Sequence, residues 1–544
     1  MAVSETVTPA TRLAVSERSS WVARLPGSPL LRWWAISLGL ALITLAWPTI
    51  PSYDPFSWVV WGREVSDPHI SFFVGGGPSW KPLPFLFTAV YGLFGSAAPA
   101  MWVITSRMGG IAGLIGAWRL TDLLCRRAGL PRWLGWVSGV AAAAGVVLTI
   151  EWSYYFFRGT SEPVLIACAL WAIDRALARR HGQAWFLLIC EGLMRPEVWP
   201  FMLLYGAWMF WRLPAMRAWV LIGLVAQPVG WFVPPWISTG QPFLAATHAS
   251  DYNGHLGSNP FATVMARGEG LQPLPALGAA VAGVVLAVAA AWRSMVDGLR
   301  MAWRTRGRSG LEHLPMELWL AVAAIGWWVV VVGMTLDHYP GLQRFFLPAA
   351  AVTCALGGVG MARVAWLVGG VVRRLSGGAA ATSSAPAGGG APRASGAAGA
   401  ATAAAAVVVV AILAGSYHYV APRIKFLRAQ EPLAATAVQR INELGTVVRV
   451  LGGKSKILPC KSSLVTINHS LQTAFAWQLG TTLERVQTVL VGPGVALVGP
   501  WDSIDGGPPP ILFKFTPHLI RTVGAWKVYR VAKFGQPLGP CVGA

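Results

Sequence analysis

Residues 33–50 read WWAISLGLALITLAWPTI, and the tripeptide Tyr53-Asp54-Pro55 follows at once. An uncharged apolar run of this length can cross a bilayer, whose hydrocarbon core takes about 20 helical residues. The tail before it carries Arg12, Arg18, Arg24 and Arg32, and the run has no small-residue cleavage site. We therefore read it as a retained first span that starts in the cytoplasm and runs outward. Asp54 then lies just beyond the membrane face.

Composition extends this reading to the whole chain. Of 544 residues, 55% are hydrophobic and 12% charged, and the mean hydropathy is +0.53. These values predict an α-helical polytopic membrane protein. The formal charge of +21 comes from 43 Lys and Arg against 22 Asp and Glu. The arginines cluster between apolar runs, as cytoplasmic loops require, and no basic–aromatic stripe occurs. Nucleic acid is excluded as a partner on that ground.

Inner loops are marked by Arg126, Arg127 and Arg132; by Arg175, Arg179 and Arg180; by Arg212 and Arg217; by Arg300, Arg304, Arg306 and Arg308; and by Arg373, Arg374 and Arg393. Between them, apolar runs near 101–123, 133–150, 162–178, 184–195, 197–211, 218–236, 275–292, 316–336, 345–370 and 403–420 predict further spans. With the first, that makes about eleven transmembrane helices. The 184–195 and 197–211 runs are short and are read as a buried hairpin. Residues 84–94 are too short to span and are read as an interfacial or half-buried helix.

The domain organisation follows. Residues 1–31 form a cytoplasmic tail and 32–375 a transmembrane domain with an outer loop at 51–100. Residues 376–402, rich in Ala, Gly and Ser, read as a flexible cytoplasmic linker, and 403–420 as the last span. Residues 421–544 read as a small extracytoplasmic α/β domain, with a helix at 428–444 and strands at 447–451, 486–491, 511–515 and 526–531. Cys125, Cys168, Cys190 and Cys354 fall in or beside apolar runs. Cys460 and Cys541 fall in the C-terminal part, as a disulfide or as two thiols.

The acidic residues of the membrane part sort mostly to the outer side; Glu191 lies inside a short apolar run, and Asp122, Asp174, Asp297, Glu312 and Glu317 are inner exceptions beside inner arginines. Asp54, Glu64, Asp67, Glu151, Glu162, Glu197, Asp251, Glu269 and Asp337 all fall on or near the outer face. Carboxylates contribute little to topology, so the asymmetry points to a functional outer cavity. Asp54, beside a membrane-surface helix carrying Trp58, Trp61, Arg63 and Glu64, is placed to act as a general base. Lys81, in Trp80-Lys81-Pro82, is placed to bind phosphate, with Pro82 and Pro84 stiffening the chain. Arg158, Arg195 with Glu197, and Arg344 are ionisable groups at outer loops, where membrane depth favours pairing or a cavity.

The stretch 247–260 holds His248, Asp251 and His255 at a spacing that could bind a metal, without being specific to one. A divalent metal stays open. Gly452-Gly453-Lys454 is no P-loop, because Val448 stands where its first glycine belongs. No Asp-x-Asp pair occurs, which weakens a nucleotide-sugar donor. Asn468-His469-Ser470 fits a glycosylation sequon.

An Asp after the first span, then an Arg-Glu pair, then Lys-Pro before a short apolar run resembles the GT-C class of integral membrane glycosyltransferases. In pattern it is nearest to the protein O-mannosyltransferases and the bacterial aminoarabinose transferases. The matching stretch is 53–95, and the order of spans extends it to about residue 419. Asp54 is followed by Pro55, where many relatives carry a second acid, and Lys81 by Pro-Leu-Pro instead of Pro-Pro-Leu. The resemblance implies a polyprenyl-phosphate-linked sugar donor, an outward-facing site and an inverting mechanism, with Asp54 as the family's first-loop aspartate and Lys81 as its lysine.

The expected activity is therefore transfer of a sugar to an envelope acceptor, whether glycan, lipid or protein, at the outer face of the plasma membrane. The composition also suits a high-GC actinobacterium. A carrier or flippase for a lipid-linked glycan would equally place arginines in a cavity, but it would not need the rim carboxylate. A structural membrane subunit is the third reading.

Overall fold

The computed structural model describes residues 28–251, 258–305, 309–381, 392–490, 494–499 and 515–533. The helices run α1 (Pro29–Ile43), α2 (Tyr53–Ser66), α3 (Pro82–Tyr91), α4 (Ala98–Arg127), α5 (Arg132–Val147), α6 (Trp152–Arg158) and α7 (Glu162–Leu177). Next come α8 (His181–Gly192), α9 (Trp199–Arg212), α10 (Arg217–Thr239), α11 (Leu244–Asp251), α12 (Pro260–Gly268), α13 (Leu274–Arg304) and α14 (Met316–Leu336). The chain ends with α15 (Leu347–Ala381), α16 (Pro392–Gly415), α17 (Tyr417–Val450), α18 (Lys454–Ile457) and α19 (Gln472–Leu479), interleaved late with five strands.

Local chemistry explains the boundaries. The Ser28 hydroxyl accepts from Leu31 N–H at 3.3 Å and caps α1, which opens on Pro29. Pro82 opens α3 and Pro163 lies in the first turn of α7, where a missing N–H costs nothing. Pro228, Pro234 and Pro235 sit inside α10; neighbouring groups in a bundle can satisfy the carbonyls they free.

Seven helical stretches among the described residues are long and apolar enough to cross a membrane, or eight if the bent pair α5–α6, angled at 73°, is one span. The sequence predicted about eleven. The difference lies in α7, α8 and α9, of 16, 12 and 14 residues. They exist where expected, and α8 and α9 meet at Arg195-Pro196-Glu197. Helices that pack inside a bundle need not reach across the hydrocarbon slab.

α15 is the hub. Across Gln343–Ser376, which joins the short turn before α15 to most of that helix, 94% of the most apolar window is buried. Glycines let its neighbours approach: a Cβ on Gly360 would lie 1.7 Å from the carbonyl oxygen of Ala279 in α13. Without a hydrophobic drive between helices in lipid, such close small-residue packing carries the association.

Three details of the sequence reading change. α3 is half-buried as expected, with Thr88 inside and Leu86 and Val90 exposed, but it runs on through a short helical stretch and a break at Gly95 (φ 56°) into α4. The supposed linker 376–402 is helical up to Ala381 and again from Pro392, since alanine favours helix; 382–391 lie outside the described residues. The strand predicted at 447–451 is the end of α17, which continues the helical register from Tyr417. Most of the strand predicted at 511–515 lies outside the described residues.

The C-terminal region is a small α/β unit. Its strands β1 (Leu464–Thr466), β2 (Val486–Gln487), β3 (Gly494–Val498), β4 (Phe515–Val523) and β5 (Trp526–Lys533) form one sheet in the order β2-β1-β3-β5-β4. The β1 pairings are parallel and the β3–β5 and β4–β5 pairings antiparallel. Cys460 is disulfide-bonded, and Cys541 lies outside the described residues. Cys125, Cys168, Cys190 and Cys354 are free thiols. The unit docks on α2, so it shares a face of the molecule with Asp54.

Candidate functional site

α2 starts where Ser52 N–H donates to the carbonyl of Arg158 at 3.0 Å, which ties the loop to α6. Asp54 occupies the first turn of α2, where the helix dipole favours a carboxylate. Its Oδ2 accepts from Arg344 Nη1 at 2.8 Å. No other described hydrogen bond reaches Asp54 through its side chain, so Oδ1 is open.

Lys81 stands just before Pro82, and only 7% of it is exposed. Its ammonium donates to Ser161 Oγ at 2.8 Å, lies 3.9 Å from Glu162 Oε1, and sits 5.2 Å from the centre of the Trp58 ring. Burial, then the neighbouring Arg195, pulls the Lys81 ammonium down to about 7. Glu162 also pairs with Arg195. Arg195 continues to Glu197 at 3.7 Å, and Glu197 accepts from the Tyr339 hydroxyl at 3.3 Å. Nε of Arg195 and Nε of Arg344 are buried and find no hydrogen-bond acceptor among the described residues.

These groups surround a cavity of about 1080 Å³. Asp54, Lys81, Arg195 and Arg344 all line it, with Glu151, Arg267 and Asp337. Glu162 and Glu197 do not; they stand behind the cations they hold. Lys81 and Arg195 are thus presented to the cavity with their counter-charges one layer back, while Arg344 is paired with Asp54 in the lining itself. This arrangement can hold an anion beside a carboxylate that has a free oxygen.

The structure therefore brings four sequence-predicted residues, Asp54, Lys81, Arg195 and Arg344, to one cavity and sets Glu197 directly behind. Arg158 lies outside the lining and packs against the Tyr154 ring at 4.7 Å. Arg63 and Glu64 are corrections. Nine residues of helix advance roughly 13 Å and turn roughly 900°, so Arg63 falls opposite Asp54 on α2. Its guanidinium donates to the carbonyls of Trp477 at 2.9 Å, Thr481 at 2.7 Å and Ala476 at 3.3 Å. It clamps the C-terminal end of α19, where cations are favoured. The Glu64 carboxyl is buried, accepts from Phe73 N–H at 3.0 Å, and is pushed up to about 8 by that burial.

α2 is also not the membrane-surface helix expected. Trp58 and Trp61 are fully buried, because α2 is sandwiched between the bundle and the C-terminal unit. That unit reaches the site itself. Gln472 Oε1 accepts from the Tyr53 hydroxyl at 2.8 Å, Thr473 Oγ1 donates to the Tyr53 carbonyl at 2.8 Å, and the His469 ring lies 4.3 Å from that of Tyr53. Burial, then Asp54, raises the Tyr53 phenol, so it stays a donor. His469 and Ser470 line the cavity. The sequence reading expected this unit to bind acceptor or shield the cavity, but named none of its residues. The sequon Asn468 is buried, its side chain accepting from Ser470 N–H at 2.9 Å.

Of the stretch read as a metal-binding candidate, His248 lines the cavity and His255 lies outside the described residues. Among the described residues no group of three His, Cys, Asp or Glu is placed to hold a metal ion.

No family model matches the chain, and no curated protein matches its sequence. Among solved structures, ArnT from Cupriavidus metallidurans in the apo state is similar, with 15% identity and a TM-score of 0.44, over 92% of this chain and 98% of that one.

Proposed function

We propose that the protein is a membrane glycosyltransferase that moves a sugar from a polyprenyl-phosphate carrier to an envelope acceptor. The observation that carries this is one cavity holding an open carboxylate oxygen on Asp54 beside three cations, Lys81, Arg195 and Arg344. The GT-C resemblance of residues 53–95 supports the same reading.

In this reading Oδ1 of Asp54 takes the proton of the acceptor hydroxyl. The hydroxyl oxygen forms a bond to the anomeric carbon from the face opposite the phosphate. The bond between that carbon and the phosphate oxygen breaks, and the electron pair leaves with the polyprenyl phosphate. Transfer therefore inverts the anomeric centre. Lys81, Arg195 and Arg344 hold the phosphate as charge grows on the departing oxygen. Alignment of donor and acceptor in the cavity supplies the proximity term. Arg344 has two duties: it orients Asp54 through Nη1 and carries a buried Nε with no acceptor among the described residues.

The test is transfer by purified protein from a panel of polyprenyl-phosphate sugars. Inverted product that depends on Asp54 is expected. A protein that moves lipid-linked glycan across vesicles without forming a new glycosidic bond is a carrier, and the proposal then fails.

A further inference from the structure

Glu151 joins α5 to α6 in the left-handed region, at φ 67° and ψ −10°. Only three non-glycine residues among those described adopt a positive φ, the others being Arg179 and His338. Glycine or asparagine takes this conformation with little penalty, and glutamate does not. The side chain does not repay the strain by capping: it makes no capping hydrogen bond to the backbone N–H groups that open α6. Instead it lines the cavity.

There Oε2 of Glu151 accepts from the Tyr155 hydroxyl. Oε1 takes no hydrogen bond from the described residues. Tyr154 and Tyr155 line the same wall, and Tyr155 is within electrostatic reach of Arg344 and Glu162. The wall is therefore next to the cations that would hold the carrier phosphate. A carboxylate with one free oxygen and two aromatic side chains is the chemistry that recognises a sugar ring: hydroxyls donate to the carboxylate, and C–H faces pack on the rings. Strain retained at a cavity points to use of the strained residue.

We infer, on the basis of the proposed glycosyl transfer, that Glu151 is a specificity residue of the donor subsite, accepting hydrogen bonds from hydroxyls of the sugar to be transferred. It touches the sugar and not the phosphate. Glutamine at this position keeps the shape and loses the charge. Glycine removes both the side chain and the strain.

The experiment uses the full-length purified protein, wild type beside Glu151→Gln, Glu151→Gly and Glu151→Ala. Two ligands are compared: the polyprenyl-phosphate sugar that the wild type uses, and the same polyprenyl phosphate without sugar as a competitive inhibitor. Glu151→Gln should lower kcat/KM for the donor about tenfold to a hundredfold, the loss of a hydrogen bond to a charged acceptor. The inhibition constant of the sugar-free carrier should stay within about twofold. Thermal unfolding should place Glu151→Gly above Glu151→Ala, because only glycine fits the left-handed backbone without strain. Unchanged donor kinetics in Glu151→Gln, with transfer by the wild type intact, overturns this inference alone. Parallel loss of affinity for the sugar-free carrier also overturns it, as does Glu151→Gly melting below Glu151→Ala. A wild type that transfers no sugar overturns both this inference and the proposed activity.

Discussion

Replacing Asp54 with Asn separates chemistry from architecture. Asn keeps the size and one acceptor oxygen, so Arg344 Nη1 retains a partner at the position now 2.8 Å away. What is lost is the ion pair and the ability to take a proton. The pair is partly open, with side-chain exposures of 21% for Asp54 and 26% for Arg344. Exposed pairs are worth about 0–1 kcal/mol and buried ones broken on one side cost about 3–5. A pair at a cavity wall that keeps its hydrogen bond falls near the lower figure, about 1 kcal/mol. General-base catalysis supplies about 10²–10⁴-fold, which is about 3–5 kcal/mol at 1.36 per decade. Turnover should therefore fall by at least a hundredfold while the folded protein is destabilised only slightly. The assay is initial rate of transfer per folded molecule, with folding read from thermal unfolding of the same preparation. Turnover within about threefold of wild type refutes the catalytic assignment. Lower yield of folded protein with activity per molecule intact assigns Asp54 a structural role.

Other outcomes follow from neighbouring groups. Lys81, pulled down to about 7, is protonated below that value and loses its charge as pH rises through it; donor KM should rise above pH 7, and flat donor KM from pH 6 to 9 would contradict a phosphate role. Glu64 has a carboxyl raised to about 8 from an ordinary 4.5, so the stability it contributes is present below pH 4.5 and lost as pH climbs through 8. Glu64→Gln should flatten that decline in thermal unfolding, and an unchanged pH dependence would count against its burial. Arg63→Ala removes the clamp on three carbonyls of the α19 end, so limited proteolysis should cut the C-terminal unit sooner, leaving the membrane helices intact. Cysteine labelling at position 57 should succeed once the residue is exposed by denaturation in sealed, right-side-out vesicles; labelling that also needs permeabilisation would reverse the topology.

Charged residues in an apolar chain were the readable part of the site. Asp54, Lys81, Arg195 and Arg344 stand out because ionisable groups near a membrane need a cavity or a partner. Their convergence was not readable, since Arg344 meets Asp54 across 290 residues. Arg63 and Glu64 were misassigned by proximity in sequence, although helical geometry alone sets Arg63 on the opposite side of α2. Glu162 was noted only as one of the outer-face carboxylates, and it holds two cations. Glu151 was noted only as an outer carboxylate, because a left-handed backbone at a glutamate leaves no mark in the sequence. The apolar runs located the helices well, and the three short ones, α7, α8 and α9, fall below the length that marks a span on its own. His469, Ser470 and Gln472 carry no sequence signal of their own. Only the docking of the C-terminal unit gives them a place.

That docking has a consequence for how the molecule is made. The contacts between Tyr53 and Gln472 or Thr473 bridge 419 and 420 residues. Asp54 emerges from the ribosome early, yet part of the wall around it is synthesised last. Contacts of such long sequence separation form late, because the intervening chain must first be ordered. Every helix between must be inserted, and the last segment folded, before the cavity closes on that side. A partly made chain therefore presents Asp54 without the complete enclosure. The order of synthesis itself thus delays the site until the protein is whole and correctly threaded through the membrane.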